Sequence, residues 1–515
     1  MRPGLGYEVV EAGVPFQGFN SVPPSVLLDP KFAVTADNII FEDGIPYKRP
    51  GYPQFGDTQE LVLGLVEFEL ASGVKYLLLF TSTKQYRYNS STDVWVDISG
   101  GTSWTGDEGD VLDYAIGWDD TGKYIYITNG KDTPRRWDGS GNFADISINL
   151  PNFVTCKTLS IYKGYLILGN VETNSYDTQA VVWSDTSDFG EFVSGNSGIN
   201  ILSDVVGKII SIQHLGDVLM VYTDEGSITR MAHLGGAAIF GFITIVQRVK
   251  ALSARCIISI EGFHLFPTTD NFYAFDGSSQ PRAIGDPVKN VLQGDVGNEY
   301  IDRSHAIYDS VQRRIYWFLA TSDTTQRIYV LEFNNFTIND FRWSFHTFGD
   351  RITGGGVYSR DTYLAWEDIT ENWEDIPWTW DSTLTDGGSY VPVMGDGDGK
   401  TYMLDGTVNT DDGVSITAQY ITPDLTIPNI HLSSNARWME MQFEAIGNTV
   451  EVSYSTDKGS TWKSVTNKTL TSDPTLITYY FQAVSRHIRF RFKHTGTGVG
   501  FKLRWFRVWY RLREA

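Results

Sequence analysis

Short apolar segments of strand length recur along the chain between clusters of Gly, Asp and Asn, and helical periodicity is almost absent. One unit, made of an apolar strand, a tight polar turn and a second apolar strand, occurs seven times. The units begin at Leu65, Tyr114, Leu159, Ile209, Ile257, His305 and Gly355. Their mean spacing is about 48 residues, which is close to the repeat length of β-propeller blades.

Many of these strands are apolar at nearly every position rather than at alternate positions. A strand with this pattern is buried on both faces, as in a propeller blade that packs between two neighbours. The pattern therefore predicts an all-β protein with a β-propeller of six or seven blades over residues 55–405. A stack of unrelated β-sandwiches is the alternative, because no fixed signature such as the WD40 dipeptide recurs.

The pattern changes after residue 406, where six strands separated by turns predict a compact β-sandwich over residues 406–515. In the stretch HIRFRFK, which begins at His487, polar or basic side chains alternate with Ile and Phe, so one face of the strand is basic. A slip in the alternation at Trp505-Phe506 predicts a β-bulge. Residues 1–54 are predicted to form an extended amino-terminal arm with a hairpin.

The stretch VSYSTDKGSTW, from Val452 to Trp462, resembles the Asp-box hairpin found repeatedly on the blades of sialidases. We expect Asp457 to accept hydrogen bonds from backbone N–H groups across the turn, Gly459 to adopt a positive φ, and Trp462 to pack beneath it. A sialidase-like enzyme would need several such boxes on successive blades, with an arginine cluster and a Tyr/Glu nucleophile pair. This chain has one box, and it lies outside the predicted propeller, which favours a structural hairpin.

No other motif indicates chemistry. The stretch GDGDGKT, Gly395 to Thr401, lacks the first glycine of a phosphate-binding loop and is followed by a strand rather than a helix. The sequence contains neither H-E-x-x-H nor G-x-S-x-G, and its two cysteines have no metal-ligand spacing. We therefore expect a protein that is not an enzyme and that uses no cofactor or metal.

Charge is distributed unevenly along the chain. The formal net charge is −21, but residues 486–515 contain nine Lys or Arg and one Glu, a charge of +8 that leaves −29 on the first 485 residues. A protein that grips DNA by its phosphates spreads positive charge over its surface, so this class is excluded for most of the chain. Repulsion would suit a tube through which DNA slides without sticking. Solubility explains the acidic charge equally well.

Two clusters are candidate binding surfaces. The basic residues of the terminal strands are a candidate assembly surface for an acidic partner, with a solvated strand face as the alternative. They are Arg486, Arg489, Arg491, Lys493, Arg504 and Arg507. The run WEDITENWEDIPWTWDS supplies candidate docking aromatics, which could instead cap the last blade. They are Trp366, Trp373, Trp378 and Trp380.

The amino terminus has no apolar segment of the signal-peptide type, and no run of about 18 apolar residues occurs. A soluble protein made without a secretion signal, and without membrane insertion, is the expectation from these two observations.

The stretch AVTADNIIFEDGIPYKRPGY, from Ala33 to Tyr52, carries a resemblance to a known family. It resembles the start of the tail nozzle proteins of short-tailed bacteriophages, also called tail tubular protein B, in which an extended arm with an Asp-Gly turn precedes a propeller. The matching residues are Asp37, Asn38, Phe41, Asp43, Gly44, Lys48, Arg49, Pro50 and Gly51. The W-x-D run and the terminal sandwich with its lone hairpin are also similar to that family.

The resemblance implies a structural protein of the virion tail, assembled in the host cytoplasm as a hexameric ring below the portal and adaptor. Such a ring conducts DNA during ejection and supports fibres or spikes, and its family carries no catalytic residues. The competing hypotheses are a carbohydrate-binding propeller for host-receptor recognition, or a degenerate glycosidase, and a tail-tip or plug protein.

Overall fold

The computed structural model describes residues 8–13, 16–42, 44–101, 103–110, 112–173, 176–186, 188–236, 238–337, 340–360, 389–426 and 436–512. Strands dominate this part of the chain. Its helical elements include α1 (Lys289–Asp295) and the 3-10 turns Ala254–Cys256, Asp286–Val288 and Ile301–Arg303. Among these residues there is no helix with the length and apolar character needed to span a bilayer.

Five strands precede the first repeated unit. They are β1 (Glu8–Gly13), β2 (Thr35–Asp37), β3 (Ile39–Glu42), β4 (Ile45–Lys48) and β5 (Gln54–Phe55).

Seven groups of four antiparallel strands follow, called sheets 1 to 7. Sheet 1 contains β6 (Val62–Glu69), β7 (Lys75–Thr81), β8 (Gln85–Asn89) and β9 (Val94–Asp97); sheet 2 contains β10 (Asp113–Trp118), β11 (Lys123–Thr128), β12 (Arg135–Trp137) and β13 (Ala144–Asp145); sheet 3 contains β14 (Thr155–Tyr162), β15 (Tyr165–Glu172), β16 (Tyr176–Trp183) and β17 (Gly198–Ile201); sheet 4 contains β18 (Ile209–Leu215), β19 (Val218–Thr223), β20 (Ile228–His233) and β21 (Phe240–Val246). Sheet 5 contains β22 (Ile258–Ile260), β23 (Phe263–Pro267), β24 (Phe272–Phe275) and β25 (Arg282–Ala283); sheet 6 contains β26 (His305–Asp309), β27 (Arg314–Ala320), β28 (Gln326–Glu332) and β29 (Arg342–His346); sheet 7 contains β30 (Ile352–Arg360), β31 (Ser389–Asp396), β32 (Thr401–Met403) and the early strand β5.

The first strands of these sheets surround a common axis. From sheet 2 to sheet 7 each first strand contacts the next, and β30 of sheet 7 contacts β6 of sheet 1. Sheets 1 and 2 share a core that includes Leu63, Phe68, Leu112 and Ile125. The arrangement is propeller-like, and β5 joins it from the amino-terminal side by pairing with β32.

Burial explains the continuous apolar pattern. Strand β27 is buried at all seven positions because sheet 6 packs between sheets 5 and 7. Glycines allow sheets 7 and 1 to approach closely, since a Cβ added to Gly356 would lie 2.0 Å from the carbonyl oxygen of Leu65. The expectation of an all-β protein is confirmed.

The carboxyl-terminal region adds ten strands. They are β33 (Thr410–Asp411), β34 (Val414–Ser415), β35 (Ala418–Ile421), β36 (Leu425–Thr426), β37 (Ala436–Gly447), β38 (Thr449–Ser455), β39 (Lys463–Thr469), β40 (Thr475–Ser485), β41 (His487–His494) and β42 (Phe501–Leu512). Sheet 8 has the order β3-β4-β42-β37-β40, with β1 also pairing with β42. Sheet 9 has the order β2-β35-β41-β38-β39, with β36 on β41. The two sheets pack face to face, with the Phe492 ring 5.5 Å from Phe443 and 5.6 Å from Phe506.

The amino-terminal strands belong to sheets made mostly by distant parts of the chain. Strands β1, β3 and β4 are in sheet 8, β5 is in sheet 7, and β2 lies between β29 of sheet 6 and β35 of sheet 9. Sheets 6 and 9 are therefore one continuous ladder through β2. The sequence predicts an extended arm here, and its strands pair with β42, β32, β29 and β35.

The alternation in β41 is confirmed, because Ile488, Phe490 and Phe492 are buried while the residues between them are half-buried. A bulge also occurs in β42. Glu444 of β37 pairs with Trp505, but the next residue, Ala445, pairs with Leu503, which leaves Arg504 as the extra residue. The bulge lies one residue before the position that the sequence pattern indicates.

Candidate assembly surface

The six basic residues of the terminal strands do not form one continuous surface. Arg489, Arg491 and Lys493 lie on the outer face of sheet 9, whereas Arg504 and Arg507 lie on the outer face of sheet 8. Arg486 is exposed in the turn between the two sheets. Pairing between distant strands, which the sequence does not reveal, causes this division.

Arg489 has a structural role. Its guanidinium Nε and Nη2 donate to the two carboxylate oxygens of buried Asp424 at 3.0 and 2.9 Å, and its Nη1 donates to the carbonyl oxygen of Lys458 at 2.9 Å. Both partners lie within the chain, and only 12% of the Arg489 side chain is exposed. Arg489 therefore anchors the hairpin at residues 455–462 and is a poor candidate for contact with another molecule.

That hairpin is the stretch that resembles an Asp-box. The Asp457 carboxylate accepts from the backbone N–H of Thr461 at 2.8 Å, and Gly459 has a φ of +92°. Hydrogen bonds from Thr461 and Ser455 lower the pKa of Asp457 to about 2. The Trp462 ring lies 4.6 Å below the Arg491 guanidinium, whose Nε donates to Ser453. The expected turn geometry is confirmed, and the residues hold a turn together.

The outer face of sheet 8 has a different character. The Arg507 guanidinium lies 5.0 Å from the Trp505 ring and 4.8 Å from the Trp509 ring, and it donates to the Gln442 side chain at 2.8 Å. Arg504 pairs with Glu444 at 2.8 Å. Two tryptophans with a cation between them form a rigid, amphipathic strip.

The strip continues to the edge strand β40. In the described residues β40 pairs with β37 alone, so its other side presents unpaired N–H and C=O groups. Three large apolar side chains on the outer face of this strand are exposed: Leu476 (55%), Tyr480 (77%) and Val484 (50%). We define the sheet 8 surface as Leu476, Tyr480, Val484, Trp505, Arg507 and Trp509.

The strand register places these side chains in rows. Leu476 and Trp505 are both opposite Glu444, and Tyr480 and Trp509 are both opposite Glu440. The sequence pattern missed β40 as a candidate. The stretch LITYYFQAV could have identified this strand, because it has apolar residues on both faces. A strand with one face in solvent normally has polar residues on that face.

The tryptophan-rich run cannot be placed in the same way. Trp366, Trp373, Trp378 and Trp380 lie outside the described residues. The strands on either side of the run, β30 and β31, pair as far as Arg360 and Ser389. The run is thus inserted between two paired strands of sheet 7.

Residues of the amino-terminal motif meet at a junction of distant segments. Arg49, which is 2% exposed, donates through Nε to the Asn38 side chain at 3.0 Å, through Nη2 to the Thr347 carbonyl at 2.8 Å, and to both oxygens of Asp411. An added Cβ on Gly51 would lie 2.0 Å from the Thr410 carbonyl oxygen.

Lys48 completes the junction. Its Nζ donates to the carbonyl oxygens of Asn409, Gly496 and Gly498 at 3.0 to 3.1 Å. Burial and the neighbouring Arg49 lower its pKa to about 8. Together, Arg49 and Lys48 contact the residue after β29 of sheet 6, the segment after sheet 7 and the turn before β42. The motif therefore holds three distant segments of the chain together.

The axis of sheets 1 to 7 contains a cavity of about 630 Å³, lined by the first strand of every sheet. Its size is in the range of small-molecule sites and is far too small for a nucleic acid duplex. Both cysteines are buried and unpaired, and burial raises the pKa of Cys156 to about 12. Within the described ranges, no group of three or more His, Cys, Asp or Glu is placed to hold a metal ion.

No protein-family model matches the sequence, and no curated protein matches it at a significant level. Among solved structures, the chain is similar to the crystal structure of the computationally designed Ika8 protein. The two have 12% sequence identity and a TM-score of 0.36, and the match covers 72% of this chain and 96% of that chain. A similarity this low identifies no family and supports no function.

Proposed function

We propose that the chain is a tail nozzle subunit of a short-tailed bacteriophage, of the tail tubular protein B type. Sheets 1 to 7 are the blades of a closed seven-bladed propeller over residues 55–405, and sheets 8 and 9 form a β-sandwich over residues 406–515 that incorporates the amino-terminal arm. Copies of the chain form a ring in the virion tail, with six as the expected number. The ring joins the portal-adaptor ring, carries fibres or spikes, and conducts DNA during ejection.

The sheet 8 surface is the observation that carries the assembly part of this proposal. It combines exposed apolar side chains, a tryptophan–arginine strip and an edge strand, β40, whose outer side has no strand partner among the described residues. An apolar and aromatic surface that meets a different surface on the next copy makes a heterologous contact. Such contacts close into a ring when the rotation per subunit allows it.

The DNA path in this proposal lies between copies and not along the propeller axis. The axial cavity of about 630 Å³ has no room for a duplex. Residues 1–485 carry a formal charge of −29, so a conduit lined by them repels phosphates and DNA slides with few contacts. The family resemblance adds that residues such as Asn38, Lys48 and Arg49 recur at the start of nozzle proteins, and here they secure the junction described above.

Mass measurement tests the proposal. Light scattering on the purified chain, alone and with its tail partners, should show a particle of about 347 kDa, which is six copies of the 57.8-kDa chain. Images down the axis of this particle should show a closed ring with a central opening. Monomers alone, at high concentration and with partners present, would overturn it.

A groove between sheets 7 and 1 favours a second candidate function, which is carbohydrate binding for host recognition. The groove has a volume of about 720 Å³ and is lined by Tyr76, Tyr88, Tyr358 and Arg87. Aromatic faces next to a planar polar group are the usual platform for a sugar ring. Saturable binding on a glycan array that is lost in Tyr88→Ala, or in Trp373→Ala and Trp378→Ala, would support this function, and silence would not.

A further inference from the structure

A heterologous contact joins two different parts of the same chain, so the sheet 8 surface needs a second surface on the next copy. Arg437 and Arg511 are opposite each other on the outer face of sheet 8, and Arg437 is also opposite the exposed Val484. The outward charged residues of β37, β40 and β42 are four arginines and two glutamates: Arg437, Arg504, Arg507, Arg511, Glu440 and Glu444. A surface that receives this face should therefore combine exposed apolar side chains with an excess of carboxylates.

The outer edge of sheet 3 has exposed apolar side chains. Its last strand, β17, pairs with β16 alone among the described residues, so its other side presents unpaired N–H and C=O groups. Ile199 and Ile201 share one face of β17 and are 55% and 53% exposed, and the loops on either side of the strand add Val193 and Val206, which are 62% and 68% exposed. In the described part of the chain, no other outer strand of sheets 1 to 7 has two large apolar side chains that are more than half exposed.

The same edge is acidic. Residues 176–207, which contain β16, β17 and the loops that follow them, include five Asp or Glu and no Lys or Arg, whereas residues 208–250 of sheet 4 include four Lys or Arg and three Asp or Glu. Glu191 accepts from the backbone N–H groups of Val193 and Ser194 at 2.8 and 2.7 Å. Hydrogen bonds from Asn149 and from these two N–H groups lower the pKa of Glu191 to about 2, so the carboxylate beside Val193 is ionised at neutral pH.

The outer edge of sheet 3 and the sheet 8 surface lie at opposite ends of the fold. Sheet 9, against which sheet 8 packs, continues from the outer strand of sheet 6 through β2. Around the axis, sheets 4 and 5 separate sheet 3 from sheet 6 on one side, and sheets 7, 1 and 2 separate them on the other. The outer edges of sheets 3 and 6 therefore point in nearly opposite directions, and a contact between the two ends adds copies head to tail.

We propose that the outer edge of sheet 3 on one copy receives the sheet 8 surface of the next copy. We define the sheet 3 surface as Glu191, Val193, Ile199, Ile201, Asp204 and Val206. In this contact the apolar side chains of the two surfaces bury each other, and the carboxylates of the sheet 3 surface meet the arginines of sheet 8. The inference rests on the proposed function, because it requires copies that assemble, and it adds the second side of their contact.

Two complementary variants of the full-length chain test the inference by light scattering. Ile201→Lys places a charge in the sheet 3 surface, and Tyr480→Lys places one in the sheet 8 surface. Each variant alone should be a monomer of 57.8 kDa at a concentration where the wild type forms the ring. Each retains the surface that the other has lost, so an equimolar mixture should form pairs of about 116 kDa, twice the mass of the chain, and no ring.

A second variant and a control connect the result to the sheet 3 surface. Ile199→Lys, on the same face of β17, should behave as Ile201→Lys does, whereas Ile243→Lys, at a 57% exposed position of the edge strand β21, should form the ring. The circular dichroism spectrum of each variant should match that of the wild type, which shows that the fold is retained.

The outcomes separate this inference from the proposed function. If the wild type forms the ring and the β17 variants do so equally well, or if the mixture of Ile201→Lys and Tyr480→Lys contains monomers alone, the inference is overturned and the proposed function is not. A wild-type chain that stays monomeric with its tail partners present would instead overturn the proposed function, and this inference with it.

Discussion

Arg49 and Asp411, which are 362 positions apart in the chain, form a buried ion pair in which the guanidinium contacts both carboxylate oxygens. The same Asp411 accepts from the backbone N–H of Tyr52 at 3.2 Å. The pair joins the amino-terminal motif to the segment that connects sheet 7 with sheet 9. A buried pair of this kind fixes a geometry more than it adds net stability, because both charges lose their hydration.

The first prediction concerns this pair. Arg49→Met leaves the Asp411 carboxylate buried without its partner, which should lower the free energy of unfolding by about 3–5 kcal/mol. Urea unfolding followed by tryptophan fluorescence measures the change. The control is Lys163→Met, whose partner Asp217 is 97% exposed, and it should unfold like the wild type. Equal effects of the two substitutions would contradict the role of Arg49 at the junction.

Gly356 gives a prediction about closure of the ring of sheets. A methyl group at this position would lie 2.0 Å from the Leu65 carbonyl oxygen, so sheet 7 would have to move away from sheet 1. Gly356→Ala should therefore destabilise the protein by about 1–3 kcal/mol, as overpacking does elsewhere. Gly349→Ala is the control, since a Cβ there has nothing within 4 Å. A thermal midpoint for Gly356→Ala equal to that of the control would show that the sheets are not tightly apposed.

The sequence predicted the repeated strand pairs because each pair is local and long enough to show its pattern. It could not predict that the two-residue strand β5 completes sheet 7, or that the three-residue strand β2 connects sheets 6 and 9. Such short strands carry no periodicity, and their partners are hundreds of residues away.

The candidate surface was predicted in part for the same reason. Alternation in the stretch HIRFRFK showed which side chains share a face of that strand, and this placed Arg489, Arg491 and Lys493 together on one face. It did not show that Arg504 and Arg507 belong to a different sheet, or that Asp424 already binds Arg489.

Asp113 gives a prediction about pH. Its carboxylate lines the axial cavity and accepts from the backbone N–H of Leu159 at 3.1 Å, and burial raises its pKa from 3.8 to about 6. The folded state therefore binds this proton more tightly than the unfolded state does. The contribution of Asp113 to stability falls as the pH rises from about 4 to about 6 and is constant above that range.

Asp113→Asn removes this titration. The stability of the variant relative to the wild type should increase by about 2–3 kcal/mol between pH 4 and pH 6.5, from the size of the pKa change. Urea unfolding of both proteins across this range gives the difference curve, which isolates Asp113 from the other buried carboxylates. If stability varies with pH in the same way for the two proteins, the pKa of Asp113 is the same in the folded and unfolded states.

The last prediction concerns the sheet 8 surface. Tyr480 is 77% exposed on the edge strand β40, in the same row as Trp509, and the proposed contact between copies would bury it. A lysine there places a charge in the interface, and aromatic residues carry much of the energy of such contacts. Tyr480→Lys should therefore convert the ring of about 347 kDa into the 57.8-kDa monomer in light scattering, with an unchanged thermal midpoint for the monomer. Ile243→Lys, at a 57% exposed position of β21 in sheet 4, is the matched control and should still assemble. If Tyr480→Lys assembles as the wild type does, the contact between copies is made elsewhere and the sheet 8 surface has another partner.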